Sequence, residues 1–480
     1  MADSRRASSA KFQGNMVESQ TRLIQFMGTL LIALFLTWLI KDASFTVPQE
    51  YVLFLLLFSI GLWVTEAIPP FAVGILIIGF LVFFLGQPAM KEYDIDVGKF
   101  VDTWADSVIW LLLGGFFLAE GMKKTGLDRQ MFALVSKRFG KVPSHLLLAF
   151  MMTTALISMV MSNTATTAMM FAALMPLLHS LGRESGFSKS LLLGIPAAAS
   201  LGGMGTIIGS PPNAIAVDMI NRIPGMVHKV GFLDWMIVGV PVAILMVLVF
   251  WWILQRKYPL PSSLDLSALD QSSVHQEPTL AYIGTWDEQR ILWIVLAVTV
   301  GLWMTDGFHP IPMAAVSGIP IIALTMTNII TSDDVRALPW DTLMLVAGGL
   351  SLGLAIQETG LMDYFLIQLK GVHLPSMVLV AAFALITVLA SNFMSNTAAA
   401  AILIPAALLW ESLPPGLLPL IIGLSSSCAL FLPVSTPPNA IAYSTGMIDQ
   451  QEFRLGGLSI GLMGPIFISL WVAAAMMFIL

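Results

Sequence analysis

Met161-Ser162-Asn163-Thr164-Ala165-Thr166-Thr167 and Met394-Ser395-Asn396-Thr397-Ala398-Ala399-Ala400 are one short motif written twice. Each copy is followed by a second shared motif: Gly209-Ser210-Pro211-Pro212-Asn213-Ala214-Ile215-Ala216 after the first, and Ser435-Thr436-Pro437-Pro438-Asn439-Ala440-Ile441-Ala442 after the second. All four stretches sit inside long apolar runs, where Ser, Asn, Thr and Pro cost free energy unless they line something. Two copies of a polar, helix-breaking motif in a hydrophobic chain are the pattern of a secondary transporter built from two repeats.

Working outward, the duplication covers most of the chain. Leu62-Trp63-Val64-Thr65-Glu66 returns as Leu302-Trp303-Met304-Thr305-Asp306, Gly114-Gly115 as Gly348-Gly349, and Thr125-Gly126 as Thr359-Gly360. The matches keep their order while the separation shrinks from 240 to 226 residues, which describes a duplication with altered loop lengths. Of the 480 residues, 57% are hydrophobic and 11% charged, against about 25% charged in soluble domains. The chain therefore reads as an all-α polytopic membrane protein. Stretches such as 23–40, 107–122, 236–254, 291–305 and 457–480 approach the ~20 apolar residues of a spanning helix. The first of these is too long for a signal peptide and is read as a retained helix behind a polar tail. The lone Cys428 excludes an internal disulfide framework and a cysteine metal cluster. The six His residues lack ligand spacing, and neither a phosphate-binding loop nor a dinucleotide fingerprint is present, which argues against an ATP-driven pump.

The expected organisation is a tail and first helix (1–50), repeat one (51–255), a cytoplasmic linker (256–290) and repeat two (291–480). Repeat one contains a re-entrant hairpin at 144–181 and a broken helix at 189–222, and repeat two a hairpin at 376–411 and a broken helix at 416–447. Polar helices are expected at 123–141 and 358–374. Each repeat crosses the membrane five times, so the two are inverted, giving about eleven transmembrane helices. With the N-terminus cytoplasmic, 17 of the 23 Lys and Arg residues fall in inside loops, which supports that orientation and an outside C-terminus. Trp104, Trp235, Trp286 and Trp340 read as interface anchors. Glu66, Asp306 and Glu120 end apolar helices and read as capping or ion-pair residues.

Each Ser-Asn-Thr reads as a hairpin tip. Ser and Asn favour the N-cap, where a side-chain oxygen accepts an orphan amide hydrogen. Ser210-Pro211-Pro212 and Thr436-Pro437-Pro438 likewise start half-helices, with Pro at the first position, where a missing N–H does no harm. Gly202-Gly203-Met204-Gly205, and Ser425-Ser426-Ser427 with Pro433, can unwind the chain ahead of them. Each helix N-terminus is worth about +0.5 charge, so four of them present roughly +2 without a Lys or Arg. That field suits a dianion. The unwound carbonyls and hydroxyls offer neutral oxygens that suit Na⁺.

The paired S-N-T motifs, each with a downstream S/T-P-P-N, resemble the divalent anion/sodium symporter family, whose INDY-type members carry di- and tricarboxylates. The resemblance runs from the second helix onward. It implies a homodimer whose protomers carry cargo by an elevator motion, with Na⁺ as co-transported ion and no organic cofactor. It implies a first Na⁺ site at Ser158, Ser162, Asn163 and the Gly209 backbone. A second would use Ser391, the Met394 backbone, Ser395, Asn396 and the Ser435 backbone. The carboxylate would meet Asn163, Thr164, Ser210, Asn396, Thr397, Thr436 and Pro437. Hydroxyls four residues before both S-N-T motifs, at Ser158 and Ser391, favour Na⁺-coupled symport over cation-independent exchange.

The expected activity is Na⁺-coupled import of C4-dicarboxylates (succinate, malate, fumarate) across a bacterial inner membrane. An exchanger, a citrate carrier or a sulfate carrier of the same fold are the alternatives. The partners are the dicarboxylate, the bilayer and a second protomer, and nucleic acid is not one. A membrane enzyme is disfavoured because the His residues do not repeat with the Ser motifs and no Asp lies in them. A channel would use rotational symmetry about a pore.

Overall fold

The structure, a computed structural model, describes residues 2–41, 43–127, 130, 142–223, 229–261, 285–369, 375–410 and 413–479. All regular structure among them is helical. We number the helices of eight residues or more. The chain opens with α1 (Ala2–Ile40), α2 (Val47–Thr65), α3 (Pro70–Leu85) and α4 (Ser107–Thr125). A hairpin of α5 (Pro143–Ser158) and α6 (Asn163–Leu181) follows, then the interrupted pair α7 (Gly186–Gly203) and α8 (Pro211–Asn221), then α9 (Phe232–Lys257). The later half contains α10 (Trp286–Met304), α11 (Gly318–Met326), α12 (Trp340–Glu358) and the short α13 (Leu361–Leu369). A hairpin of α14 (Ser376–Phe393) and α15 (Asn396–Ala407), the interrupted pair α16 (Leu417–Ser425) and α17 (Pro437–Ser444), and α18 (Phe453–Ile479) complete it.

Eight described helices are long and apolar enough to cross a membrane, while α3, α5, α15 and the segments holding α11 and α16 are apolar but shorter. The expected count of about eleven leaves out the hairpin arms α6 and α14 and adds α3, α10, the α11 segment and the two interrupted helices to the other six. Most of the expected polar helix 123–141 lies outside the described residues, as do 262–284 of the linker and 370–374 of the second polar helix.

Duplicated positions carry the same local structure. Thr46 and Thr285 each close a capping box ahead of α2 and α10, exchanging bonds with Gln49 and Glu288. Trp63 and Trp303 each donate an indole N–H to a carbonyl that opens the next segment, Pro70 O and Met313 O, both at 3.3 Å. Gly126 and Gly360 both have φ of +70°, the left-handed conformation that ends a helix.

The chain forms two compact units, residues 1–104 with 341–373 and residues 105–340 with 374–480. In the first, α3 and α12 meet backbone to backbone, and a methyl on Gly348 would fall inside Gly74. Ser351 on α12 donates to Phe100 O at 2.8 Å, and Lys99 pairs with Glu358 at 2.8 Å. In the second, α4 packs against α11, and α5 against α7, where Gly202 meets the Ala155 backbone. Arg222, at the end of α8, bonds the buried Asp218 at 2.7 Å and also Asp106, which caps α4 through Val108 N. That bridge fixes the far end of α8 to the start of α4. Lys124 pairs with Asp334 at 2.6 Å, and Glu120 pairs with Lys123 at 3.2 Å.

Candidate functional site: two hairpin tips against two helix breaks

All the expected site residues lie in the second unit. Ser162 and Ser395 are both N-caps with nearly identical backbone angles (φ −62°, ψ 141° and 143°), and their hydroxyls accept from Ala165 N at 3.2 Å and Ala398 N at 3.1 Å. The tips therefore start α6 and α15 in the manner their sequence requires.

In the first half, Ser158 Oγ donates to Asn163 Oδ1 at 2.7 Å. The Asn163 side chain lies against the break between α7 and α8. A methyl on Gly203 would sit 2.5 Å from Asn163 Oδ1, 3.0 Å from its Nδ2 and 2.9 Å from Gly209 O. Ser158, Asn163 and Gly209 are thus gathered around one point, with Ser162 at the adjoining cap. Glycine is required at 203 by this approach, and Gly203 ends α7 as the sequence suggests.

In the second half, Ser391 is fully buried on the last turn of α14, and Asn396 opens α15. Ser391 Oγ and Asn396 Oδ1 are buried oxygens without a hydrogen-bond partner. An unpaired buried polar atom costs about 1–3 kcal/mol, so these two oxygens mark a place where a ligand would be stabilised. Met394 is extended (φ −132°, ψ 172°), and Ser435 Oγ donates to Ala429 O at 3.0 Å.

Each tip is strutted to the break of its own half. Thr206 donates its hydroxyl to Met159 O in the first half, and Asn392 Oδ1 accepts from Phe431 N at 2.9 Å in the second. The halves also interlock, with α8 packing against α15 and α17 against α6. Within the first half, the start of α6 lies against the break that leads into α8.

The residues expected at the carboxylate differ in accessibility. Ser210, Thr397 and Thr436 are buried, Asn163 and Asn396 half-buried, and Thr164 and Pro437 exposed. Thr436 caps α17 by accepting from Asn439 N at 3.4 Å, whereas Ser210 makes no side-chain cap to α8.

Sequence reasoning missed the residues that hold the breaks open. Asn213 Nδ2 donates to Gly203 O at 2.9 Å and Thr206 O at 2.7 Å. Asn439 Nδ2 donates to Leu432 O at 3.1 Å. The signal was present, since the Asn of P-P-N is duplicated. Trp235 is a correction: it is fully buried rather than an interface anchor, and its indole N–H donates to Met204 O at 2.9 Å, a carbonyl freed by the break.

The family model for citrate transporters matches residues 60–411. The sodium-dependent dicarboxylate transporter SdcS of Staphylococcus aureus (strain bovine RF122 / ET3-1) is 30% identical over a 492-residue alignment covering 95% of this chain and 92% of that protein. An uncharacterised transporter of Haemophilus influenzae is 32% identical over 436 residues, covering 85% and 88%. Among solved structures, MtrF of Neisseria gonorrhoeae superposes with a TM-score of 0.57 at 14% identity, covering 88% of this chain and 97% of that one. The Alcanivorax borkumensis YdaH transporter does so at 0.55 and 11%, covering 85% and 98%. Those two likenesses show the fold alone. The family match spans both hairpins and the first break, so the chain is a multi-pass membrane transport protein belonging to the citrate-transporter family, among the divalent anion/sodium symporters of di- and tricarboxylates.

Proposed function

We propose that the protein is a Na⁺-coupled importer of C4-dicarboxylates such as succinate, malate and fumarate. The observation that carries this reading is the setting of Asn163. Its carboxamide lies between the Ser158 hydroxyl and the Gly203–Gly209 break, so neutral oxygens meet helix N-termini at one point. Neutral oxygens suit Na⁺, and the N-termini suit a compact dianion. The likeness to a transporter named for sodium and dicarboxylate supports the same cargo. Cations would use Ser158, Ser162, Asn163 and Gly209 in one half, and Ser391, Met394, Ser395, Asn396 and Ser435 in the other. Asn163, Thr164, Ser210, Asn396, Thr397, Thr436 and Pro437 would hold the carboxylates. The chain would work as a homodimer in a bacterial inner membrane, N-terminus inside and C-terminus outside, its two inverted repeats moving cargo by an elevator stroke.

Uptake of labelled succinate into proteoliposomes tests this, with an inward Na⁺ gradient and then with K⁺ or choline in its place, without internal substrate. Uptake that requires Na⁺ is expected. Uptake indifferent to Na⁺ but dependent on internal dicarboxylate would replace symport by exchange. The description of the matched family favours a citrate carrier as the second reading, and labelled citrate in the same assay decides it.

A further inference from the structure

We propose that Asn213 is a positioning residue of the first cation site, setting its Na⁺ affinity without touching the ion. This rests on the symport reading above and adds a residue that the reading does not include. Breaking a membrane helix frees carbonyls that lipid cannot satisfy, so each needs a donor from the protein, water or cargo. Three carbonyls of the first break receive side-chain donors. Asn213 Nδ2 holds Gly203 O at 2.9 Å and Thr206 O at 2.7 Å, and Trp235 Nε1 holds Met204 O at 2.9 Å. Among the described residues, no protein donor reaches Gly209 O. The break thus presents that carbonyl beside Asn163, while Asn213 holds Gly203 O and Thr206 O. Asn213 is fully buried and sits in the first turn of α8, so one planar amide ties the end of α7 and the middle of the break to the start of α8. The second break is held more loosely, Asn439 Nδ2 lying 3.1 Å from Leu432 O and 3.5 Å from Leu430 O. The effect should therefore be larger at 213 than at 439.

Asn213→Asp keeps the shape and removes both N–H donors. Gly203 O and Thr206 O are released, and Gly203 O, against which a methyl on Gly209 would sit at 2.5 Å, is free to crowd the site. Loss of a residue that orients a metal ligand typically costs about 10- to 100-fold in metal affinity. We expect half-saturating Na⁺ to rise by about tenfold or more, with the succinate KM at saturating Na⁺ little changed. Trp235→Phe, which removes one donor and keeps the ring, should shift Na⁺ dependence in the same direction by less. Asn221→Asp is the control. Asn221, the last residue of α8, bonds the Val230 backbone at 3.1 and 2.8 Å, so its loss should lower stability without moving Na⁺ dependence. Na⁺-induced thermal stabilisation in detergent, read without substrate, gives the same ranking if transport is too slow to measure. Unchanged half-saturation in both Asn213→Asp and Trp235→Phe, against a Na⁺-dependent parent, refutes the assignment alone, as does an equal shift in Asn221→Asp. A parent that shows no Na⁺ dependence removes the symport reading and this assignment together.

Discussion

Gly203→Ala is the sharpest perturbation of the first half. The new methyl would lie 2.5 Å from Asn163 Oδ1, 3.0 Å from Asn163 Nδ2 and 2.9 Å from Gly209 O. Carbon and oxygen do not approach so closely, so Asn163 must swing away or the break must open. Overpacking of this kind costs about 1–3 kcal/mol. If the cost falls on the cation-bound arrangement, half-saturating Na⁺ rises by roughly 5- to 150-fold, at 1.4 kcal/mol per factor of ten. The assay is Na⁺-dependent succinate uptake, paired with Na⁺-induced thermal stabilisation of the detergent-solubilised protein. The effect belongs to one half, because the residue seven places before the second Pro pair's Thr436 is Ala429, which already carries a methyl. A well-folded Gly203→Ala protein with parental Na⁺ dependence would refute the placement of a cation between Asn163 and Gly209.

Three other outcomes follow from the geometry. Arg222→Gln leaves the buried Asp218 carboxylate without its 2.7 Å partner, and should destabilise the protein by about 3–5 kcal/mol in denaturation, with partial recovery in Asp218→Asn/Arg222→Gln. Ser395→Ala removes the cap of α15 and should lower stability by about 1 kcal/mol, seen as a lower melting temperature that Ser395→Asn restores. Asp334 is pushed upward by burial but held below the usual carboxylate range by hydrogen bonds from Lys124 and Thr331. A depressed folded-state pKa contributes stability above the unfolded value, about 3.9, and loses it as pH falls through the folded value. Melting temperature should thus fall more steeply below about pH 4 in the parent than in Asp334→Asn, and parallel curves would contradict the pairing.

The sequence made the fold class and the tips legible because both are written in local chemistry. Ser162 and Ser395 cap the helices their spacing predicts, and Gly203 ends α7. The struts were not legible, for a physical reason. The same junction between tip and break is built in opposite senses: Thr206 reaches from the first break to the backbone of the tip, while Asn392 reaches from the second tip to the backbone of the break. Their counterparts by motif spacing are Leu432 and Met159, so no repeat is visible although the function repeats. Trp235 was misread because an indole near a helix end serves equally well at a lipid interface or against a freed carbonyl, and only the path of the break distinguishes them. The two compact units also fail to follow the duplication: α4 lies with α11, while its copy α12 lies against α3.

The Gly74–Gly348 contact has a genetic consequence. Most tight contacts can be rescued, since an enlarged residue on one side is accommodated by a smaller one opposite. Here each partner is already the smallest residue, and what it meets is main chain. A substitution at either position has no complementary shrinkage available across the seam. Intragenic suppressors of Gly74 or Gly348 variants should therefore arise by global stabilisation at distant positions, and the two sites should behave as fixed points while the surrounding helices drift.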